Sequence, residues 1–278
     1  MVYNHKNFDI IVGGSYNGSL SFFDLRRGHS SGVIKPTDTT ILEKSHHDPV
    51  YDISWLTLGK LGTECVSTST DGRLLWWDMK KLGDGPTEEL ILTESNAVNG
   101  QPAPKILGGT SLEYNSDAAP LKYLVGTEQG LILQATKRKQ VEINMRFGME
   151  GGRHHGPVYS LQRNPGHLKY FMSIGDWSAK IWCEDLKSPI MQTRYHQSYL
   201  TNGCWSPTRP GLFFLTRMDG FLDVWDFFYR QNEVAYSQKI SDAVLTSISV
   251  MGSMAAIGDS DGTVSMMSLC RPLWDQTL

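Results

Sequence analysis

No apolar run in this 278-residue chain approaches the ~20 residues that a membrane-spanning helix needs, and the N-terminus lacks the pattern of a signal peptide. Its four cysteines, Cys65, Cys183, Cys204 and Cys270, lie far apart and form no CxxC. That argues against a disulfide framework and for small buried hydrophobes in a reducing compartment. An excess of one charge is missing too. Net charge is −3, and the one basic run, Lys137-Arg138-Lys139, is short and reads as a solvated connection between strands, so neither nucleic acid nor an anionic membrane is an expected partner. No segment holds a helical period, and the Gly- and Pro-rich spacing of short apolar stretches argues for an all-β, soluble, intracellular chain.

What is there is repetition. The stretch MDGFLDVWDFF (218–228) reads as a tight Asp-Gly turn followed by an alternating strand that ends Trp225-Asp226. Approximate copies are SYNGSLSFFD (15–24), STDGRLLWWD (69–78), TEQGLILQA (127–135), GDWSAKIWC (175–183) and DSDGTVSMMS (259–268). Six residues beyond each turn stands Phe23, Trp77, Ala135, Trp182, Trp225 or Met267, with Ala135 the one small residue of the set. The copies stand 54, 58, 47, 43 and 42 residues apart, and a period of ~40 to 45 residues with Gly-His and Trp-Asp punctuation is the mark of a WD-repeat β-propeller with four strands per blade. Openings are signalled independently by HHDPVYDISW from His46, HHGPVYSLQRNP from His154 and HQSYLTNGCWSP from His196.

These signals predict about six blades over residues 1–270, the first and last incomplete, followed by a C-terminal tail at 271–278. The first blade is expected to use 1–5, 9–13 and 19–24 as strands, with an outer strand at 40–45. The last reaches its third strand at 263–269. Uncovered faces are expected at the two ends of the array, carrying Phe22 and Phe23 on one side and Met266 and Met267 on the other.

The constellation His46, Ser69 or Thr70, Asp71 and Trp77 could be taken for a nucleophilic triad. A related set returns as His154, Asp176 and Trp182, and again as His196, Asp219 and Trp225. Catalysis needs one site, whereas every blade needs a brace, so recurrence points to structure: the turn Asp accepts from His and Ser/Thr, and the buried indole N–H needs its own acceptor. No catalytic residue, metal ligand or cofactor-binding residue is expected. The pairs His46-His47 and His154-His155 are adjacent on strands and point to opposite faces, which does not suit one ion. GMEGGR (148–153) lacks the Lys-Ser/Thr of a phosphate loop. Trp177 stands where other copies carry glycine, so its ring is expected at the surface as a candidate partner contact.

GTECVSTSTDGRLLWWD (62–78), YLVGTEQG (123–130), HHGPVYSLQRNP (154–165), GDWSAKIW (175–182) and SPTRPGLFFLTRMDGFLDVWDF (206–227) together resemble the WD-repeat region of dynein intermediate chains, the axonemal outer-arm branch in particular. The resemblance runs in order over nearly the whole chain. It implies a non-catalytic scaffold that binds a dynein heavy chain and a second intermediate chain, meets the microtubule only through the complex, and supports outer-arm assembly and ciliary movement. Its place would be the axoneme of a cilium or flagellum, and the cytoplasm before assembly. The family's propeller usually has seven blades, so a truncated ring is expected. Light chains bind an N-terminal extension in the family, which this sequence does not contain, so light-chain binding is not carried over. The rival reading is a generic WD-repeat adaptor that binds peptide motifs in another complex, such as a ubiquitin-ligase substrate receptor.

Overall fold

The computed structural model describes residues 1–28, 34–57, 62–95 and 103–275. Among them the chain folds into six antiparallel sheets whose strands follow sequence order. The first sheet holds β1 (Val2–Tyr3), β2 (Ile10–Gly14), β3 (Leu20–Asp24) and β4 (Asp38–Thr39). The second holds β5 (Val50–Trp55), β6 (Glu64–Ser69), β7 (Arg73–Asp78) and β8 (Glu88–Ile91). The third is built from β9 (Gly109–Glu113), β10 (Lys122–Thr127), β11 (Ile132–Lys137) and β12 (Val141–Phe147). The fourth comprises β13 (Val158–Arg163), β14 (Tyr170–Gly175), β15 (Ser178–Cys183) and β16 (Met191–Gln192). The fifth contains β17 (Leu200–Trp205), β18 (Leu212–Arg217), β19 (Phe221–Asp226) and β20 (Tyr236–Lys239). The sixth has three strands, β21 (Leu245–Met251), β22 (Met254–Asp259) and β23 (Val264–Ser268), and is followed by a one-turn helix, α1 (Arg271–Trp274). The fold is an all-β propeller, with six blades among the described residues.

Two compact units divide the chain, Met1–Arg146 and Phe147–Leu278. Within each, the core lies between consecutive sheets. In β7, Leu74 and Trp76 pack on one side with Leu112 and Tyr123 of the third sheet, while Leu75 and Trp77 pack on the other with Val12 and Phe22 of the first. Alternate residues of a strand serve opposite faces, and both faces here meet a neighbour, so the strand reads as an unbroken apolar run. In the second unit, one cluster joins the fourth and fifth sheets through Ile174, Trp205 and Trp225, and another joins the fifth and sixth through Phe214, Val224 and Ile257. Leu273 and Trp274 of α1 pack against the latter.

The second and third strands of each blade share one register. Ile11 faces Phe23, Cys65 faces Trp77, Tyr123 faces Ala135, Phe171 faces Trp182, Phe213 faces Trp225 and Ala255 faces Met267. This explains the small residue at 135: in the third blade the aromatic has moved across the ladder to Tyr123, which meets Trp76 edge-on at 5.3 Å and stacks on Tyr114 at 5.1 Å. The turn glycines Gly18, Gly72, Gly130, Gly220 and Gly262 all have φ between 79° and 85°. A Cβ at Gly220 would lie 1.9 Å from the Ser241 carbonyl oxygen, so the fifth-blade turn excludes side chains on two counts.

Three sequence expectations are corrected. The outer strand of the first blade is β4 at Asp38–Thr39, not 40–45, and Leu42–Lys44 is a 3₁₀ turn. The Thr40 hydroxyl accepts from the Leu20 amide at 2.9 Å and meets Ser45 Oγ at 2.6 Å, so side chains take over where the ladder would have continued. Phe22 does not lie on an outward face: it is buried edge-on against Trp55, and Phe23 is half-buried. On the sixth blade Met267 points into the core, while Met266, on the opposite face of β23, is 62 % exposed. Of the expected C-terminal tail, 276–278 lie outside the described residues.

Candidate functional site

The second blade carries its His, Ser, Asp and Trp on one buried hub. His46 precedes β5, and its Nδ1 lies 3.0 Å from Asp71 in the β6–β7 turn. Its Nε2 lies 2.8 Å from Ser67 Oγ, which also accepts from Trp77 Nε1 at 2.9 Å. The hydroxyl is Ser67 on β6, rather than Ser69 or Thr70. Ser69 donates instead to the Asp48 carbonyl at 3.0 Å. Burial alone would raise the Asp71 carboxyl, but hydrogen bonds and charge from His46, with the amides of His47 and Arg73, hold it below its ordinary value.

The fourth blade repeats the hub. His154 Nε2 and Trp182 Nε1 both meet Ser173 Oγ at 2.8 Å, and His154 Nδ1 stands 3.3 Å from Asp176. Burial opposes ionisation of Asp176, yet His154, the His155 amide and Ser178 outweigh it and draw the carboxyl down to about 2. Burial also lowers His154, outweighing the pull of Asp176. Lys180, cross-strand from Ser173, donates to the carbonyls of Gly152 and Arg153 at 2.8 and 2.9 Å, which ties down the glycine-rich 148–153 loop.

The fifth blade departs from this plan. Position 215, cross-strand from Asp223 as Ser67 is from Leu75 and Ser173 from Lys180, is leucine. His196 Nδ1 pairs with Asp223 at 2.7 Å and not with the expected Asp219. Asp219 is taken by Arg217, whose guanidinium also reaches Asp223 at 3.2 Å. Ser237 Oγ donates to Asp223 at 2.6 Å. The physical reason is local: Arg217 ends β18 beside the turn and claims the turn carboxylate, while Asp223, two residues before Trp225, shares its side of β19 and faces the histidine. Burial opposes ionisation of Asp223, but His196, Ser237 and Arg217 keep it below the ordinary carboxylate range. Among the described residues, His196 Nε2 and Trp225 Nε1 are buried and have no hydrogen-bond partner. Sequence reasoning missed Ser67, Ser173, Arg217 and Asp223. The register of the second and third strands would have placed all four.

Trp177 follows a turn unlike the others. Gly175 pairs directly with Ser178, so Asp176 and Trp177 alone make the bend, and Asp176 takes φ 53°, the one positive value outside glycine among the described residues. The indole is 44 % exposed and meets the Tyr199 ring at 5.0 Å; Tyr159 meets the same ring at 5.9 Å. The Trp177 carbonyl accepts from the His196 amide at 2.9 Å, which fixes the backbone beneath it. Tyr159 sits in a register shift of β13, a bulge that re-aims its side chain.

Among the described residues no cluster of three or more His, Cys, Asp or Glu side chains could hold a metal. Cys65 and Cys204 are buried; burial raises both thiols, Cys204 to about 12. Lys137, from the basic run, pairs with Glu88 at 3.0 Å.

Antiparallel sheets in sequence order, with a His–Asp–Ser–Trp hub repeated at one register, define a WD-repeat β-propeller protein. Residues 111–269 match the family described as the dynein axonemal intermediate chain 3 WD40 domain. The chain belongs to the dynein axonemal intermediate chains. It is 43 % identical over 98 % of its length to the 70 kDa intermediate chain of the flagellar outer arm of Chlamydomonas reinhardtii. It is 46 % identical over 98 % to ciliary dynein intermediate chain 3 of Heliocidaris crassispina, and 41 % over 96 % to human dynein axonemal intermediate chain 2. These alignments cover 46 %, 44 % and 43 % of the relatives, so the chain spans less than half their length.

Proposed function

We propose that the chain is a non-catalytic scaffold subunit of the axonemal outer-arm dynein complex. It binds a dynein heavy chain and a second intermediate chain, and supports assembly of the arm and movement of the cilium or flagellum. The observation that carries this reading is the similarity to a flagellar outer-arm intermediate chain along almost the whole length of the chain. Residues 1–270 act as the propeller and 271–278 as its tail. His46, Asp71, Trp77, His154, Asp176, Trp182, His196 and Trp225 brace the blades, with Asp223 in the role expected of Asp219. Their burial supports a structural use, since a nucleophilic site needs access to substrate. Trp177 contacts a partner. Its ring is large, rigidly held and flanked by Tyr199 and Tyr159, the composition typical of binding hot spots. The protein works in the axoneme and passes through the cytoplasm before assembly.

Tagged chain expressed in ciliated cells, followed by salt extraction of axonemes, tests the reading. Co-sedimentation with heavy chain is expected, and Trp177→Ala should weaken it by about tenfold. Recovery from a cytoplasmic ubiquitin-ligase or other adaptor complex, with none in the axoneme, would overturn it.

A further inference from the structure

The sixth sheet stops one strand short of the other five, and none of the described residues pairs with the outer side of β23. The Thr263 carbonyl and the Leu269 amide are engaged on the β22 side, by the Asp259 amide and the Ser253 carbonyl. By alternation, the amides and carbonyls of Val264, Met266 and Ser268 point outward. Beside this edge runs a groove of about 440 Å³, walled by Leu222, Val224 and Tyr236 of the fifth blade and by Met267, Leu269 and Leu273. We propose that β23 takes up an extended segment of another protein as a fourth, antiparallel strand, with two apolar side chains of that segment in the groove.

The third blade shows what belongs in this place. Its outer strand, β12, turns Val141 and Ile143, two residues apart, into the core between the second and third sheets. On β23, Met267 faces the fifth blade, and so by alternation does Ser265. A strand laid along β23 puts the residues opposite these two on the same side, over the groove. None of the groove's lining side chains is charged, which selects apolar residues at both places.

Each of the other five sheets takes its outer strand from chain that turns back after the third. Chain leaving β23 is tied to the fifth blade instead: Leu273 and Trp274 pack against the core, and Arg209 donates to the Pro272 carbonyl. As far as Asp275, the chain therefore leaves the edge open to a partner. Charge adds a further preference. Asp259 ends β22 and Asp261 follows in the turn that opens β23, so an antiparallel segment, which ends beside them, is favoured by a basic residue at its C-terminal end.

The test is a titration of the full chain, read by fluorescence anisotropy, with a labelled peptide QVEINMR. This is the sequence at 140–146; it carries Val and Ile two apart and ends on a base. Saturable binding is expected. Methylating the peptide's asparagine amide, which would pair with Val264, should weaken binding at least tenfold, whereas methylating its isoleucine amide, which points to solvent, should change it less than about twofold. Serine at both apolar places of the peptide should cost about tenfold. Met266→Pro removes an outward amide and keeps the ladder to β22, and should also weaken binding about tenfold; the methylated peptides serve if that variant does not fold. No saturable binding, equal effects of the two methyl groups, or full affinity for the serine peptide would overturn the proposal. So would self-association of the chain that the peptide displaces, which would give the edge to a second copy.

Discussion

The fourth and fifth blades begin from nearly the same letters, a histidine before the inner strand and a tryptophan six residues beyond a turn aspartate, yet solve the interior differently. In the fourth, one serine hydroxyl satisfies both His154 and Trp182, and the aspartate in the turn holds the other side of the imidazole. In the fifth, leucine stands at the serine position and a buried carboxylate, Asp223, takes the imidazole with help from Arg217 and Ser237. The difference teaches that the contact common to both braces is the one between imidazole and carboxylate, while the hydroxyl that joins imidazole to indole is present in the fourth blade and missing from the fifth. The same sequence signature can hold its imidazole with the carboxylate of the turn or with one on the strand.

That contrast is sharpest when the central group of each blade is removed. Asp223→Ala leaves His196 Nδ1 and the Ser237 hydroxyl without their buried carboxylate and Arg217 with Asp219 alone, and should lower the free energy of unfolding by about 3 to 5 kcal/mol in a urea titration. Ser173→Ala leaves His154 Nε2 and Trp182 Nε1 unpaired, with an expected loss of about 2 to 4 kcal/mol. A variant of either kind that unfolds at the parent's urea midpoint would mean that its blade is not braced through these atoms.

The inner strands offer a gentler version of the comparison. Asn202 in the fifth blade donates its amide toward the Thr246 carbonyl and accepts from the Gly203 amide at 2.7 Å. At the matching place in the second blade Asp52 accepts from Leu112 and Ile53 at 2.8 Å each, with no cation in contact among the described residues. Burial pushes its carboxyl up to about 6, only partly offset by those two amides. The folded value is raised above the unfolded one, so the contribution to stability is full below about pH 4 and is lost as pH rises through about 6. Asp52→Asn should therefore remove that loss and raise stability at pH 8 by about 1 to 2 kcal/mol, with no gain at pH 4. Equal effects at both pH values would assign the change to packing.

The smallest effect tests the substitution of one aspartate for another. Asp219 is about one-third exposed and, among the described residues, pairs with Arg217 alone, so Asp219→Ala should lower stability by less than about 1 kcal/mol. A loss equal to that of Asp223→Ala would restore Asp219 to the hub.

Much of the fold was legible because its signals are short-range. The turn glycines, the alternation of strands such as β19, and the histidine openings each depend on a few adjacent residues, and together they located the blades. The hub was only half legible. Its His and Trp stand at recurring positions, but the hydroxyl at Ser67 or Ser173 and the carboxylate at Asp223 are chosen by which side of a strand faces inward and by what the cross-strand neighbour leaves unpaired. Ser69 looked equivalent to Ser67 because two residues of the same type lie on the same side of β6, and only the ring positions decide between them. The outer strand of the first blade was misplaced for a related reason: Thr40 suits a strand, yet its hydroxyl serves better as a stop.

The cysteines carry a consequence for experiment. Cys65, Cys183 and Cys204 are buried, and Cys270, between β23 and α1, is exposed. A maleimide dye or photo-crosslinker added to the native chain should therefore attach at one defined place, beside the groove formed by Tyr236, Met267 and Leu273. The molecule comes with its own address for optical or crosslinking maps of whatever docks on its last blade, and no cysteine has to be engineered in or out.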